Sequence, residues 1–329
     1  MKWERDLKAP TIQMILGKLD EATDMSVVDW LLDSDPSIRW QVMRDLTGEP
    51  DDVVAAERSR VASEGWGARL LDLQEPDRQW SDGSNTTLIQ TPDGSATYVL
   101  MLLRIMGLDP MGEAARRAVT LVRDNVTHYE GGQRFFLGET ESCINGRVLA
   151  LGAYFSEASE ALLHRLLDEQ LNDGGWNCEA PRSQRSSFHT TICVLEGLLE
   201  YERALGADAR VTEARARGEE YLLERRMYRS LSSGEVIDPD WTLFSFPTGW
   251  HYDLLRGLDY LRSASVVPDD RIAEAIELVE KNRGEDGRWP LQNPHPGQIH
   301  FDMDEDVGKA SRWNTLRALR VLHWAGHGG

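Results

Sequence analysis

The chain has 329 residues, and its 36 Lys and Arg stand against 55 Asp and Glu, a net charge of −19. That excess repels phosphate backbones and anionic lipid surfaces, which excludes nucleic acid and membranes as expected partners. The first ten residues, MKWERDLKAP, hold no apolar signal segment, residues 98–106 are too short to span a bilayer, and three cysteines make no disulfide framework, so a cytoplasmic protein is expected.

In chain order, the first fifty residues carry the weakest helical pattern, in a pair near 11–22 and 38–46 with Trp40, Val42, Met43 and Leu46 on one face. Beyond them, charged amphipathic segments alternate with nearly all-apolar ones. Residues 52–73 precede 96–108, 112–125 precede 143–155, and 157–170 precede 189–201. The last two pairs are 211–226 with 251–261, and 269–282 with 313–324. The charged set predicts helices buried on one face, and the apolar set predicts helices buried on most sides. Starts of the apolar set at 96, 143, 189, 251 and 313 lie 47, 46, 62 and 62 residues apart, the period of a two-helix repeat. Six outer and six inner helices are what an all-α (α/α)6 toroid needs, as one domain over residues 1–329. An open solenoid has similar periods, so closure is a separate expectation.

The turns between outer and inner helices are alike: Gln79-Trp80-Ser81-Asp82-Gly83, Asp173-Gly174-Gly175-Trp176 and Asp286-Gly287-Arg288-Trp289. An Asp-Gly-x-Trp turn leading into an apolar helix resembles the QW-type repeat of the squalene cyclase and protein prenyltransferase superfamily. The resemblance covers the chain from about Gln74 onward and implies an α/α toroid, an enzyme, and a small or isoprenoid-like substrate. Each turn Trp has two readings: packing on the end of its outer helix, or contact with a ligand.

In such a toroid every inner helix starts at one end of the barrel, so residues at those starts converge on one mouth. They are Asp93, Glu141 with Cys143, Phe188 with His189, Trp250-His251-Tyr252-Asp253, and Arg312-Trp313-Asn314, with Tyr98 one turn into its helix. Helix N-termini favour thiolates and anions at such a mouth. Thiolate and imidazole donors suit zinc, and Cys143, Cys178, His189 and His251 are the candidate ligands. The resemblance points the same way, because prenyltransferase β-subunits bind zinc with an acid-x-Cys and a His on successive inner helices. Glu141-Ser142-Cys143 looks like the first element and Phe188-His189-Thr190 like the second, although the acid is Glu and Cys178 has no fixed counterpart. Core packing is the competing reading for these residues, and Cys193, between Ile192 and Val194, is expected to be core.

Residues 301–306, FDMDED, resemble the Asp-x-Asp-Asp motif of class II terpene cyclases, which implies Asp304, with Asp302 beside it, as a proton donor to an alkene. A solvated acidic loop is the alternative. Glu141 and Tyr252 complete the candidate acid–base groups. Aromatic walls from Tyr98, Phe188, Trp250, Tyr252 and Trp313 suit an apolar or cationic intermediate. Arg147, Arg256, Arg312, Arg317 and Arg320 lie on or beside inner helices, where they either pair with acids or bind an anionic group. Three functions follow from these readings: a zinc-assisted enzyme, a metal-free proton-initiated cyclase, and a non-catalytic toroid that binds a ligand or partner.

Overall fold

The structure is a computed structural model that describes residues 21–74, 80, 92–295, 301–304 and 306–326, with side chains of 21–25 and 92–94 left aside. The inner helices are α2 (Pro36–Val42, continued by a π turn over Met43–Thr47), α5 (Pro92–Met106), α7 (Ser142–Tyr154), α9 (Phe188–Leu205), α11 (Leu254–Ser263) and α13 (Arg312–Gly326). The outer ones are α1 (Glu21–Leu32), the broken pair α3 (Asp51–Ser59) and α4 (Gly65–Asp72), α6 (Glu113–Asn125), α8 (Glu160–Asp168), α10 (Ala209–Glu224) and α12 (Ala273–Lys281). Among the described residues β-structure is limited to three isolated bridges.

The ring closes. Trp40 on α2 donates its indole N–H to Met106 O at the end of α5 (2.8 Å), and Arg320 on α13 donates to Gln41 Oε1 (2.8 Å) and pairs with Asp45. First and last inner helices are therefore neighbours, as a toroid requires and an open solenoid does not.

Three buried tryptophans hold the turns. Trp80, Trp176 and Trp289 are each 0% exposed. Each donates its indole N–H to the carbonyl ten residues earlier, in the last turn of the outer helix: Leu70 O (2.8 Å), Leu166 O (2.6 Å) and Val279 O (2.7 Å). The backbone N–H groups of Trp176 and Trp289 reach forward to Thr191 Oγ1 and Thr315 Oγ1 on the next inner helix, both at 3.0 Å. One residue thus ties the exit of an outer helix to the entry of an inner one. Packing, not ligand contact, is the role these contacts give them.

Two boundaries differ from the sequence expectation for identifiable reasons. The segment at 52–73 is two helices, because Gly65 takes φ +63° and brings its backbone so close to Asp35 that a Cβ there would lie 1.9 Å from Oδ2. Asp35 uses that approach to accept Trp66 N–H (2.7 Å) while capping α2 through Ser37 N–H (2.8 Å). The helix expected from His251 starts at Leu254, since Asp253 is its N-cap and accepts Arg256 N–H at 2.7 Å. In the first pair, α1 occupies Glu21–Leu32; the expected helix at 11–22 lies almost wholly outside the described residues.

The most extensive contact between inner helices joins α7 and α9. A Cβ on Gly146 would stand 2.5 Å from Cys193 O, and one on Gly197 2.3 Å from Gly146 O. Glycine at both positions lets the two backbones touch, which draws the first turns of α7 and α9 together.

Candidate active site at the barrel mouth

Glu141 is the N-cap residue of α7, and Cys143 sits in its first turn with an N–H that no helical carbonyl can accept. That N–H donates to Cys178 Sγ at 3.3 Å. Cys178 belongs to the turn feeding α9, and its sulfur also lies 3.4 Å from Thr190 Oγ1 in the first turn of that helix. The Cys143 thiol in turn points at Glu141 Oε2, 3.5 Å away. One donor atom from each of Glu141, Cys143 and Cys178 lies within 4.8 Å of the other two.

The surroundings fix this geometry. Asn145 binds the loop before α7 in both directions, accepting Glu139 N–H (2.8 Å) and donating to Glu139 O (3.1 Å). Ser142 donates to Glu169 (2.7 Å) on the neighbouring outer layer. On the other side Asn177 closes its own turn onto Arg185 O (2.7 Å), and Tyr221 holds Ser186 O (2.9 Å). The hydrogen bond from Cys143, aided by Thr190 and opposed by burial, brings the Cys178 thiol down to about 7. The same contact, with burial, pushes Cys143 up. Of the two sulfurs, Cys178 is therefore the one that gives up its proton first.

The expected four-ligand set therefore divides. Cys143 and Cys178 converge with Glu141, while His189 and His251 lie outside that group. His189 Nδ1 accepts Tyr252 N–H at 2.8 Å, which places the ring proton of the neutral side chain on Nε2. Its ring stands edge-on to those of Trp250 (5.2 Å) and His251 (5.9 Å). His251 is sandwiched between Trp250 (3.8 Å) and His295 (3.7 Å), both nearly parallel to it. Parallel stacked imidazoles direct their nitrogens sideways and do not share a point ligand.

Burial and the charge of Arg256 lower the His189 pKa to about 4, and burial with the neighbouring His295 and His189 lowers that of His251 to about 3. Both are neutral when folded, whereas the unfolded chain takes up their protons near ~6.5. Stability is whole above that value and falls as pH drops towards the folded pKa values. Urea unfolding at pH 7 and pH 5 is expected to show this loss, and His251→Phe, which preserves the stack, is expected to reduce it. An unchanged pH dependence in His251→Phe would contradict a buried neutral His251.

The remaining candidates are placed as follows. Tyr252 is 2% exposed, and its hydroxyl donates to Met227 O (2.7 Å); burial raises its pKa well above the ordinary value, which removes it as an acid or base near neutrality. Asp253 caps α11 and accepts Ser245 Oγ–H (2.8 Å). Asp304 accepts Ser311 Oγ–H (2.5 Å) and Arg312 N–H (2.9 Å) at the start of α13. With Asp302, Asp306 and His295 it lines a pocket of about 400 Å³ at the mouth. Phe188 packs among Tyr221, Trp241 and Tyr252, and Asn314 binds the carbonyls of Phe244 and Pro290. Arg312 lies over the Trp30 ring at 4.4 Å. The Asp93 side chain is outside the described residues. Cys193 is fully buried in the core.

Tyr98 and Trp313 line a second cavity, also about 400 Å³, that fills the barrel lumen. Among the described residues its walls hold nine arginines, including Arg147, Arg256, Arg317 and Arg320. The sequence marked these four, with Arg312, as a group that pairs with acids or binds an anion, but not that Arg44, Arg58, Arg104, Arg203 and Arg262 join them. The available signal was the recurrence of Arg within otherwise apolar inner helices. His295 was missed outright, because its position follows from the stack and not from any motif.

No family model and no curated protein matches the chain. Among solved structures, a variant of the type II terpene cyclase MstE from Scytonema in complex with its substrate geranylgeranyl dihydroxybenzoate is 16% identical, with a TM-score of 0.47 over 96% of this chain and 98% of that one. The apo form of MstE is likewise 16% identical over the same shares, with a TM-score of 0.45. No helix among the described residues is long and apolar enough to cross a membrane.

Proposed function

We propose that this chain is an enzyme whose chemistry takes place at a zinc centre held by Glu141, Cys143 and Cys178 at the mouth of the toroid. The observation that carries this reading is the convergence of the three donor atoms within 4.8 Å at the starts of two inner helices. Donors bound to one ion at ~2.0–2.3 Å stand about 3.5 Å apart, so a small contraction of this cluster completes the shell. Two sulfurs and one carboxylate suit zinc, and three protein ligands leave a position for water or substrate.

Zinc bound there would polarise a substrate group or lower the pKa of a bound water or thiol. The protein groups perform the rest. Cys178 enters as a thiolate because Cys143 N–H and Thr190 Oγ1 already stabilise its charge. Glu141 is exposed and faces solvent, the side from which a substrate arrives. His189, with its N–H fixed on Nε2 by Tyr252, is a neutral hydrogen-bond donor at the same mouth. Proton-initiated cyclisation by Asp304 draws less support, because both oxygens of that carboxylate are already hydrogen-bond acceptors.

Zinc titration against a chromophoric chelator at neutral pH tests the assignment. Wild type is expected to bind one equivalent, and Cys178→Ser and Cys143→Ser to lose affinity by about 100-fold or more. His189→Gln and His251→Gln are expected to retain zinc. Retention by Cys178→Ser, or loss in His189→Gln alone, would overturn this ligand set.

A further inference from the structure

The lumen differs in character from the mouth. Phe246 and Pro247 line both cavities and so form the wall between them, with Phe246 stacked on Trp313 at 4.3 Å. Behind that wall, nine arginines face three carboxylates, Glu196, Glu200 and Asp259. Those three pair with Arg256 (2.8 Å), Arg104 (2.6 Å) and Arg262 (2.8 Å). Asp45 and Asp253 reach Arg320 and Arg317 from outside the lining, which still leaves cations in excess. Arg147, on the inner face of α7 one turn below Cys143, has no hydrogen-bond or ion-pair partner among the described residues. A cationic interior inside a chain of net charge −19 is the reverse of its overall balance.

The lining also holds unanswered donors. Tyr98 OH, Trp313 Nε1, and the Nε groups of Arg104, Arg147 and Arg320 are buried without a hydrogen-bond partner among the described residues, and all five residues line this cavity. Tyr98, Trp313 and Arg320 are each more than nine-tenths buried. Unpaired buried donors are costly, and several around one space call for acceptor atoms within it. Burial, only partly offset by Asp45, brings the Arg320 pKa down to about 10.

We infer that the lumen is a binding site for a small oxyanion bearing at least two negative charges, a phosphate or dicarboxylate group, held by Arg147 with Tyr98 and Trp313 as neutral donors. Guanidinium forks match the paired oxygens of either group. The exposed Arg44 and Arg203, near the C-terminal ends of α2 and α9, mark the approach and counter the repulsion of the acidic surface. None of Glu141, Cys143 and Cys178 lines this cavity, so the anion site and the metal centre use different residues.

Thermal unfolding of the full chain with inorganic phosphate or succinate, against potassium chloride at matched ionic strength, tests the inference when each is run with and without EDTA. The expected result is a saturable rise in Tm of several degrees with at least one of the two anions, unaffected by EDTA. A response to phosphate alone assigns a phosphoryl ligand, and one to succinate alone a dicarboxylate. Arg147→Gln is expected to leave Tm without anion unchanged or higher, since it removes a half-buried cation with no partner among the described residues, and to weaken anion binding roughly 10-fold or more. Arg147→Lys, which keeps the charge without the fork, should fall between. No anion effect beyond chloride, wild-type binding in Arg147→Gln, or an effect abolished by EDTA would each overturn the assignment.

Discussion

Trp289→Ala is expected to lower the unfolding free energy by about 3–5 kcal/mol, the cost of deleting a fully buried indole. A domain is stable by only about 5–15 kcal/mol, so one turn residue controls a large share of the whole. The indole is 0% exposed, its N–H satisfies a carbonyl at the end of α12, and its backbone N–H is bound to Thr315 on α13. Removing the indole opens a cavity and frees Val279 O at the outer-helix end of the joint, while the backbone tie to Thr315 is retained. Trp289→Phe retains much of the packing but leaves Val279 O without that donor, so a loss of about 1–3 kcal/mol is expected. Urea denaturation measures both. A loss below about 1 kcal/mol for Trp289→Ala would show that the joint does not depend on its tryptophan.

Glu196→Ala is expected to cost about 3–5 kcal/mol, because it strands the buried guanidinium of Arg256. The pair is bidentate, with Nε–Oε1 and Nη2–Oε2 both at 2.8 Å, and Arg256 also supports the loop into α11 through His251 O (2.7 Å). Burial opposes ionisation of Glu196, but the adjacent guanidinium outweighs it and holds the carboxyl below the usual range. The Glu196 side chain retains 19% exposure against 5% for that of Arg256, which favours the lower end of the range. Replacing both residues with apolar ones, Glu196→Leu with Arg256→Met, should recover most of the loss. If the double variant is as unstable as Glu196→Ala, the stranded charge is not the cause.

Helix existence was legible wherever apolar spacing was strong, and the alternation of charged and apolar segments was enough to anticipate a ring. Boundaries were less so. The stretch from His251 reads as helix by its apolar spacing, yet Asp253 caps it, and only the three-dimensional position of Ser245 and Arg317 explains why that aspartate stays put. Cys143 and Glu141 were legible as partners because both belong to one helix start. Cys178 could be placed beside them because turns feeding inner helices end at the same mouth. The orientation of His189 was not legible, since it depends on Tyr252 N–H in a loop without periodicity. The arginine lumen escaped for a related reason. The inner-helix arginines stood out against their apolar neighbours, but which of them, and of those on other segments, share one cavity follows only from the ring.

Zinc K-edge X-ray absorption on the full chain, purified at neutral pH with one equivalent of zinc, tests the proposed centre most directly. The expected first shell has two sulfur scatterers at ~2.3 Å and one or two oxygen or nitrogen scatterers at ~2.0–2.2 Å. A shell without sulfur, or a protein that retains no zinc through gel filtration, would contradict the centre built on Glu141, Cys143 and Cys178.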